Sequence, residues 1–237
     1  MASQISVVVD GLKRRILAGT YAPGERLVEL QVVDELGVSR TPIRLAFEEL
    51  ERQGFLERLP TRGFRVRGIS PDDIADAIDV RGNLEGMAAR LLAQRGAGDG
   101  VIEELQMCVR EGRELLREAK GNRHLIDASR WVPMNGKFHS ILVAAAGNQV
   151  LQAAIDLVGK NPLAGPASLT LSGDFPQLEF KLIERAQEDH EDVLAGIVAR
   201  DGALVELLMK EHARRSRDNK RRLLEGVRQV MQDRHVA

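Results

Sequence analysis

Three of the five histidines form the pattern that most directly suggests chemistry. His139, His190 and His212 each stand at helical spacing from aliphatic residues, so each lies on the apolar face of a different predicted helix. Imidazole nitrogens are common ligands of Zn²⁺ and also suit Ni²⁺ and Cu²⁺. A single buried histidine is more often a hydrogen-bonded core residue, but three from separate helices favour a divalent metal site. The alternative is a polar pocket without a metal.

Two further residues belong to the same predicted pocket. Asn135 precedes His139 by one helical turn and faces the same way, so its carbonyl oxygen is a candidate fourth metal ligand. Arg81 falls within an apolar stripe, where a cation needs an anion or access to water. It either pairs with Glu85 at i+4 or binds the carboxylate of a small-molecule effector, and the sequence leaves both alternatives open.

The predicted metal ligands carry no charge, which has a consequence for the effector. Three neutral imidazoles and an amide do not balance a divalent ion, so we expect an anionic ligand to complete the site. A carboxylate that bridges the metal and Arg81 would do so. Arg215 follows His212 by about one helical turn and is a candidate effector-binding residue with Arg81 and Asn135. The rest of the arginine-rich run 214–222 is predicted to be a solvated helix face.

A second group of residues suits DNA. Gly37 provides a tight turn, and Ser39 is a good N-cap for the helix that follows. The exposed start of that helix then presents Ser39, Arg40, Thr41 and Arg44. Arginine can contact the O6 and N7 atoms of guanine with two hydrogen bonds, and hydroxyls at a helix N-terminus suit phosphates. These four residues are therefore predicted to bind DNA.

The elements around this helix occur in the order of a winged helix-turn-helix, with three helices and a β-hairpin wing. Helices are predicted over 4–18, 28–36 and 39–53, and strands over 55–59 and 64–67. Arg62 and Gly63 stand in the turn between the strands. They are predicted to lie along the DNA backbone or minor groove at the tip of the wing.

The predicted domain boundary is the segment 68–71, which separates a DNA-binding domain (1–69) from an all-helical domain (70–237). Beyond it the sequence has no strand pattern, and helical periodicity covers 71–95, 100–119, 124–146, 148–159, 178–200 and 202–230. Residues 161–177 are the least regular stretch. The predicted fold class is therefore mainly α, with an all-helical bundle after the winged helix.

Composition narrows the class of protein further. The chain has 237 residues, of which 43% are hydrophobic, 29% charged and 3% aromatic, and this mixture favours helices over strands. A single cysteine excludes a disulfide scaffold and a four-cysteine zinc module. No apolar run is long enough for a membrane span, and no signal peptide is recognisable, so we expect a cytoplasmic protein without a membrane partner.

Residues 12–67 resemble the DNA-binding domain of the GntR family of bacterial transcription regulators. The matching segments are Ile16–Gly19, Ala22–Leu27, Gly37–Pro42, Gly54–Leu56 and Arg62–Phe64. The resemblance implies that Arg40 and Arg44 contact bases, that Thr41 contacts the backbone and that Gly63 lets the wing approach the minor groove. Leu30 departs from the family, whose members usually carry a polar or basic residue there that can contact phosphate.

Residues from about 70 to 230 resemble the all-helical FCD effector domain of the FadR-type subgroup. The matching segments are Arg81–Glu85, Phe138-His139, Ala146–Asn148, Glu188–His190, Arg200–Gly202 and His212. The resemblance implies a dimer and a small-molecule pocket that is often built around a divalent metal. Metal-binding members of this subgroup have an aspartate at the position of Asn135, so Zn²⁺ or Ni²⁺ would be held more weakly here.

The sequence thus predicts a ligand-responsive transcription regulator, and family resemblance favours a repressor. One recognition helix contacts too few base pairs for genomic selectivity, so we expect a homodimer on a palindromic double-stranded operator. A metal-dependent hydrolase that uses the three histidines is an alternative from another class, but the chain has no H-E-x-x-H motif and no defined general base. A purely metal-sensing regulator is a further alternative.

Overall fold

The computed structural model describes residues 4–60, 63–68, 71–159, 161, 164–166 and 176–236. The chain divides into two compact units. One consists of Met1–Ile74 with Lys160–Pro162 and Arg221–Ala237, and the other consists of Ala75–Gly159 with Leu163–Lys220. Ile69 and Ser70, at the predicted domain boundary, lie outside the described residues.

In the described part of the first 68 residues, three helices surround a small sheet. The helices are α1 (Gln4–Leu17), α2 (Glu29–Leu36) and α3 (Arg40–Arg52), and the strands are β1 (Arg26–Leu27), β2 (Leu56–Arg58) and β3 (Phe64–Val66). The sheet is antiparallel in the order β1-β3-β2, with Leu27 opposite Phe64. The predicted winged helix-turn-helix is confirmed. Strand β1 was not predicted, because two residues are too few to show an alternating pattern.

The turn before α3 and the packing of α3 determine which of its residues face solvent. Gly37 ends α2 in the left-handed conformation (φ 64°), which a glycine adopts without strain, and its N–H donates to the Val33 carbonyl. Ile43, Phe47 and Leu50 are fully buried, and the Phe47 ring meets the Phe64 ring edge to face with centroids 5.4 Å apart. Ser39 occupies the N-cap position, but its side chain makes no capping hydrogen bond.

Six helices form most of the remaining described chain, as predicted. They are α4 (Pro71–Arg95), α5 (Asp99–Gly121), α6 (Ala128–Ala145), α7 (Gln149–Val158), α8 (Pro176–Val198) and α9 (Gly202–Val236). Helix α6 begins four residues later than predicted. The Asp127 carboxylate caps it by accepting the Ser129 N–H at 3.0 Å, and Arg123 and His124 before it have positive φ angles.

The second unit has a continuous apolar core between α4, α5, α6, α8 and α9. Its buried residues include Leu92, Leu105, Leu115, Trp131, Phe138, Ile183, Val193 and Met209. Unusually, polar side chains are also buried in this unit: Arg81, Glu85, Asn135, His139, Gln187, Asp189, His190, His212 and Lys220 are at most 9% exposed. Burying polar groups is costly unless they are hydrogen-bonded or bind a ligand. This cluster is therefore a candidate functional site. Among the described helices, none combines the length and the apolar character needed to cross a bilayer.

Close helix packing around this cluster gives a test of the fold. A Cβ atom on Gly82 of α4 would lie 2.3 Å from the Ala213 Cβ of α9, so the Gly82→Ala variant must force the two helices apart. We expect a loss of about 1–3 kcal/mol of unfolding free energy, typical of overpacking. Urea unfolding followed by circular dichroism measures it. Gly100→Ala is the control, since a Cβ there meets nothing within 4 Å. Equal stability of the two variants would contradict the close approach of α4 and α9.

Candidate functional site

The N-terminal end of α3 presents the side chains that the sequence predicts to bind DNA. Ser39, Arg40, Thr41 and Arg44 are all exposed. Neither Arg40 nor Arg44 forms an ion pair or hydrogen bond with another residue in the described ranges. Their guanidinium groups are therefore available to bases or phosphates.

These arginines border an open cleft within the first unit. The cleft is lined by Arg40 and Arg44 from α3, Arg26 from β1, Leu30 from α2 and Gly63 from the wing. Leu30 is 50% exposed there, so this side of the cleft offers an apolar surface in place of the polar side chain usual at this position. Gly63 has a φ of 94°. Arg62 lies outside the described residues, so its position at the wing tip stays a prediction.

Arg26 is a cleft residue that the sequence reasoning missed. A Cβ atom at Gly63 would lie 3.6 Å from Arg26 Nε, so the Arg26 side chain stands directly beside the wing glycine. Its neighbour Leu27 is buried while Arg26 is exposed. The sequence signal that could have found Arg26 was its place in the matching segment Ala22–Leu27. Two arginines of the wing form ion pairs: Arg58 pairs with Glu51 at 2.7 Å, and Arg65 pairs with Glu57.

The second unit brings the three predicted histidines together from α6, α8 and α9. One ligand atom from each of His139, His190 and His212 lies within 4.8 Å of the others. The ring centroids are 4.9–5.4 Å apart. All three side chains are at most 5% exposed. Such a separation allows one ion to contact all three imidazoles.

Several atoms of the cluster and of Asn135 are buried without a hydrogen-bond partner among the described residues. They are His139 Nε2, both ring nitrogens of His190, and Asn135 Oδ1. The amide nitrogen of Asn135 donates to the Pro166 carbonyl at 2.7 Å, which leaves Oδ1 directed elsewhere. Unsatisfied buried acceptors are costly. A divalent ion would satisfy His139 Nε2, Asn135 Oδ1 and one of the two His190 nitrogens, so the donor set fits a metal that accepts nitrogen and oxygen ligands.

Two buried carboxylates stand behind the histidines. His139 Nδ1 lies 3.1 Å from Glu85 Oε2, and His212 Nδ1 lies 3.2 Å from Asp189 Oδ2. Carboxylates of this kind orient the ring of a metal-binding histidine and supply negative charge. The sequence reasoning considered only the predicted ligands themselves and missed these two carboxylates, which lie 54 and 23 residues away along the chain from the histidines that they contact.

The pKa shifts favour neutral imidazoles at His190 and His212 and ionised carboxylates at Glu85 and Asp189. Burial, reinforced by the nearby histidines, lowers the pKa of His190 well below its ordinary value. Burial also lowers the pKa of His212, although Asp189 opposes the shift. Burial would raise the pKa of Glu85, but His139 and Arg81 together bring it down to about 2.

Cations surround the same cavity. Arg81 Nε lies 3.5 Å from Glu85 Oε2, and its Nη1 donates to the Ala164 carbonyl, so the i+4 pair exists inside the pocket. Arg215 lines the cavity as predicted and binds Asp189 through two hydrogen bonds of 3.0 and 2.7 Å. Lys220 was assigned to a solvated face. That assignment was wrong, because Lys220 is only 5% exposed and lines the cavity.

Glu188 and Glu191, which flank His190 in sequence, belong to surface pairs. Glu188 accepts from Arg185 at 2.9 Å, and Glu191 accepts from Arg113 at 2.6 Å. Neither carboxylate is placed as a general base beside the histidines. This arrangement gives no support to a hydrolase.

Comparison with known proteins matches a family to a segment of each unit. Residues 4–66 match the model of the bacterial regulatory proteins of the gntR family, and residues 76–215 match the FCD domain. The chain is 31% identical over 209 residues to a probable D-xylose utilization operon transcriptional repressor of Paenarthrobacter nicotinovorans, covering 87% of this chain and 84% of the relative. It is 23% identical to the Escherichia coli transcriptional repressor GlaR, covering 85% and 88%.

Two solved structures show the same fold. Escherichia coli McbR/YncC superimposes with a TM-score of 0.58 at 21% identity, over 95% of this chain and 99% of that one. A Listeria monocytogenes structure described as Lar, which controls the agr system, gives a TM-score of 0.66 at 18% identity, over 94% and 99%. The families and relatives are DNA-binding transcription regulators rather than enzymes, so the hydrolase alternative is wrong. The chain belongs to the GntR family of bacterial transcription regulators, and an FCD domain follows its winged helix-turn-helix in the sequence.

Proposed function

We propose that this regulator is a repressor that binds a palindromic operator as a homodimer and responds to a small organic acid held with a divalent metal in its helical unit. The observation that carries the proposal is the set of buried, unsatisfied atoms on His139, His190 and Asn135 beside His212. Relatives named as transcriptional repressors support the choice of repressor over activator.

In this proposal His139, His190 and His212 hold the metal through nitrogen, and Asn135 holds it through Oδ1. The donor set suits Zn²⁺ or Ni²⁺. Glu85 and Asp189 fix the histidine rings from behind and offset part of the charge. When bound, the ion supplies a positive centre for a carboxylate, and the neighbouring cations Arg81 and Arg215 favour the same ligand charge.

The DNA half of the proposal assigns base contacts to Arg40 and Arg44 at the start of α3 and phosphate contacts to Ser39 and Thr41. Gly63 and Arg62 of the wing lie along the backbone or minor groove. Arg26 adds a phosphate contact beside the wing glycine. It lines the same cleft as Leu30, whose exposed side chain makes one side of that cleft apolar. The effector acts by population shift, since a ligand that binds one dimer arrangement better changes the affinity for the operator.

The first prediction concerns base contacts. Arg40→Ala and Arg44→Ala should each cost about 1–3 kcal/mol at a palindromic site selected from random duplexes, and less on unselected DNA. Fluorescence anisotropy measures both affinities. Arg52→Ala at the other end of α3 is the control, because Arg52 is exposed and pairs with Glu49. If the losses on selected and unselected DNA are equal, these arginines contact phosphates only.

The second prediction concerns phosphate contacts of the wing side. Arg26→Ala and Arg62→Ala should each weaken binding to all sequences and reduce the slope of log affinity against log salt by about 0.9. Titrations at a series of salt concentrations give the slope, again with Arg52→Ala as control. If a variant keeps the slope of the unsubstituted chain, the replaced arginine makes no phosphate contact.

The third prediction concerns the metal. His190→Ala should lower zinc affinity by about 100-fold or more. Replacing a residue that only hydrogen-bonds to a metal ligand typically lowers metal affinity by about 10–100-fold, and loss of the ligand itself should cost more. Calorimetry on metal-free protein measures the affinity. His124→Ala is the control, because His124 packs against Phe180 outside the cluster. Equal zinc binding by both variants would show that the histidines line a polar pocket without coordinating metal. DNA affinity that responds to zinc alone would favour the purely metal-sensing regulator.

A further inference from the structure

The exposed stripe of α3 continues beyond the two arginines that are assigned to bases. Arg40, Arg44 and Glu48 follow one another at intervals of four residues, so they lie on one face of the helix. All three side chains are exposed and line the same cleft. Phe47 and Leu50 are fully buried, and their packing fixes the direction in which this stripe faces. Glu48 is therefore presented together with the two arginines.

The carboxylate of Glu48 forms no ion pair or hydrogen bond with another residue in the described ranges. A pair with Arg44 at i+4, in the less favourable order of arginine before glutamate, is not formed. Arg58 also lines the cleft, but it pairs with Glu51 at 2.7 Å and lies over the Phe64 ring, 4.6 Å from its centroid. The hydrogen bond to Glu51 is the main reason that the pKa of Arg58 is raised, and the more distant charge of Glu48 adds to it. Glu48 thus keeps its acceptor oxygens for another group.

A carboxylate on a surface that meets DNA suits one kind of contact. Phosphates repel it, so Glu48 cannot add to the part of the affinity that is independent of sequence. An ionised carboxylate only accepts hydrogen bonds. In the major groove adenine presents its amino group beside the acceptor N7, whereas cytosine presents the N4 amino group as a donor without an adjacent acceptor. The cytosine amino group is therefore the partner that best fits Glu48.

The spacing along α3 indicates which base pair this is. Residues three or four positions apart on a helix in the major groove contact successive bases, as they do in zinc fingers. Arg44 and Glu48 have this spacing. The base that Glu48 reaches is therefore next to the base that Arg44 contacts.

We propose that Glu48 is a specificity-determining residue that accepts a hydrogen bond from the N4 amino group of a cytosine, next to the guanine bound by Arg44. This inference rests on the proposed function and specifies one base pair of each operator half-site. At any other sequence the carboxylate faces negatively charged DNA without a donor. Glu48 therefore favours the operator and also weakens binding to wrong sites.

The first experiment compares the base preferences of the unsubstituted full chain, Glu48→Gln and Glu48→Ala. Each protein selects from a library of random duplexes, and the bound duplexes are sequenced. The unsubstituted chain should prefer cytosine at one position of each half-site by about fivefold or more, which is the low end of what one good base contact supplies. Glu48→Ala should reduce this preference below about twofold. Glu48→Gln should shift it to adenine, because glutamine forms two hydrogen bonds with adenine N6 and N7.

Asp10→Asn is the matched control, because Asp10 is exposed on α1 and does not line the cleft. It should leave every base preference unchanged. If the unsubstituted chain shows no cytosine preference, or if Glu48→Ala keeps it, the inference is overturned. If both Glu48 variants instead lose the preference for guanine, Glu48 only orients Arg44 and the base contact is also overturned. Selection of no sequence at all by the unsubstituted chain would overturn the proposed function itself.

A change in the DNA isolates the hydrogen bond. The selected duplex is prepared with 2-pyrimidinone, which lacks the amino group, in place of the cytosine, and fluorescence anisotropy gives the affinities. The unsubstituted chain should bind this duplex about fivefold more weakly than the cytosine duplex, whereas Glu48→Ala should bind the two duplexes equally within about twofold. Equal losses for both proteins would show that the analogue acts through the duplex and would overturn the contact with Glu48.

Unselected duplexes test the repulsive part of the proposal. Glu48→Gln removes a negative charge that faces phosphates, so it should bind these duplexes about twofold or more tightly than Asp10→Asn does. Equal or weaker binding by Glu48→Gln would overturn the claim that Glu48 weakens binding to wrong sites.

Discussion

Burial of charge inside the helical unit is the constraint on which the rest of this structure depends. Glu85 and Asp189 are nearly inaccessible to water, and an isolated buried carboxylate would cost several kcal/mol. Each is stabilised by a histidine on one side and an arginine on the other: Glu85 by His139 and Arg81, and Asp189 by His212 and Arg215. These contacts fix the orientation of two imidazole rings. The cavity geometry follows from that orientation.

The same pairing rule explains which cations of the DNA-binding unit remain available. Arg52, Arg58 and Arg65 each pair with a glutamate of the same unit: Arg52 with Glu49 on its own helix, Arg58 with Glu51 of α3, and Arg65 with Glu57 across the sheet. The start of α3 has no acidic residue in its first turn. The positive end of the helix dipole therefore adds to Arg40 and Arg44. A chain with a net charge of −1 can bind nucleic acid because its cations are distributed in this way.

Much of the fold was predictable because helical periodicity and turn residues act locally. Buried Ile43, Phe47 and Leu50 of α3 are spaced by three or four residues, so the helix and its buried face follow from the sequence. The two-residue strand β1 carries no such signal, and neither does the role of Arg26. Lys220 was misassigned for a related reason: it stands in a run of cations, and only the packing of α9 shows that its side chain points into the cavity.

The sequence by itself determined the order of the elements, the residues at the exposed start of α3 and the apolar helix faces that carry His139, His190 and His212. It could do so because each of these depends on neighbours within a few turns of the same helix. Only the tertiary structure decided that the three histidines meet, that Glu85 and Asp189 stand behind them and that the carbonyls of Ala164, Gly165 and Pro166 accept hydrogen bonds from Arg81, Lys220 and Asn135. The hydrogen bonds among these contacts join residues 23 to 83 positions apart, and their distances depend on how the helices pack against one another.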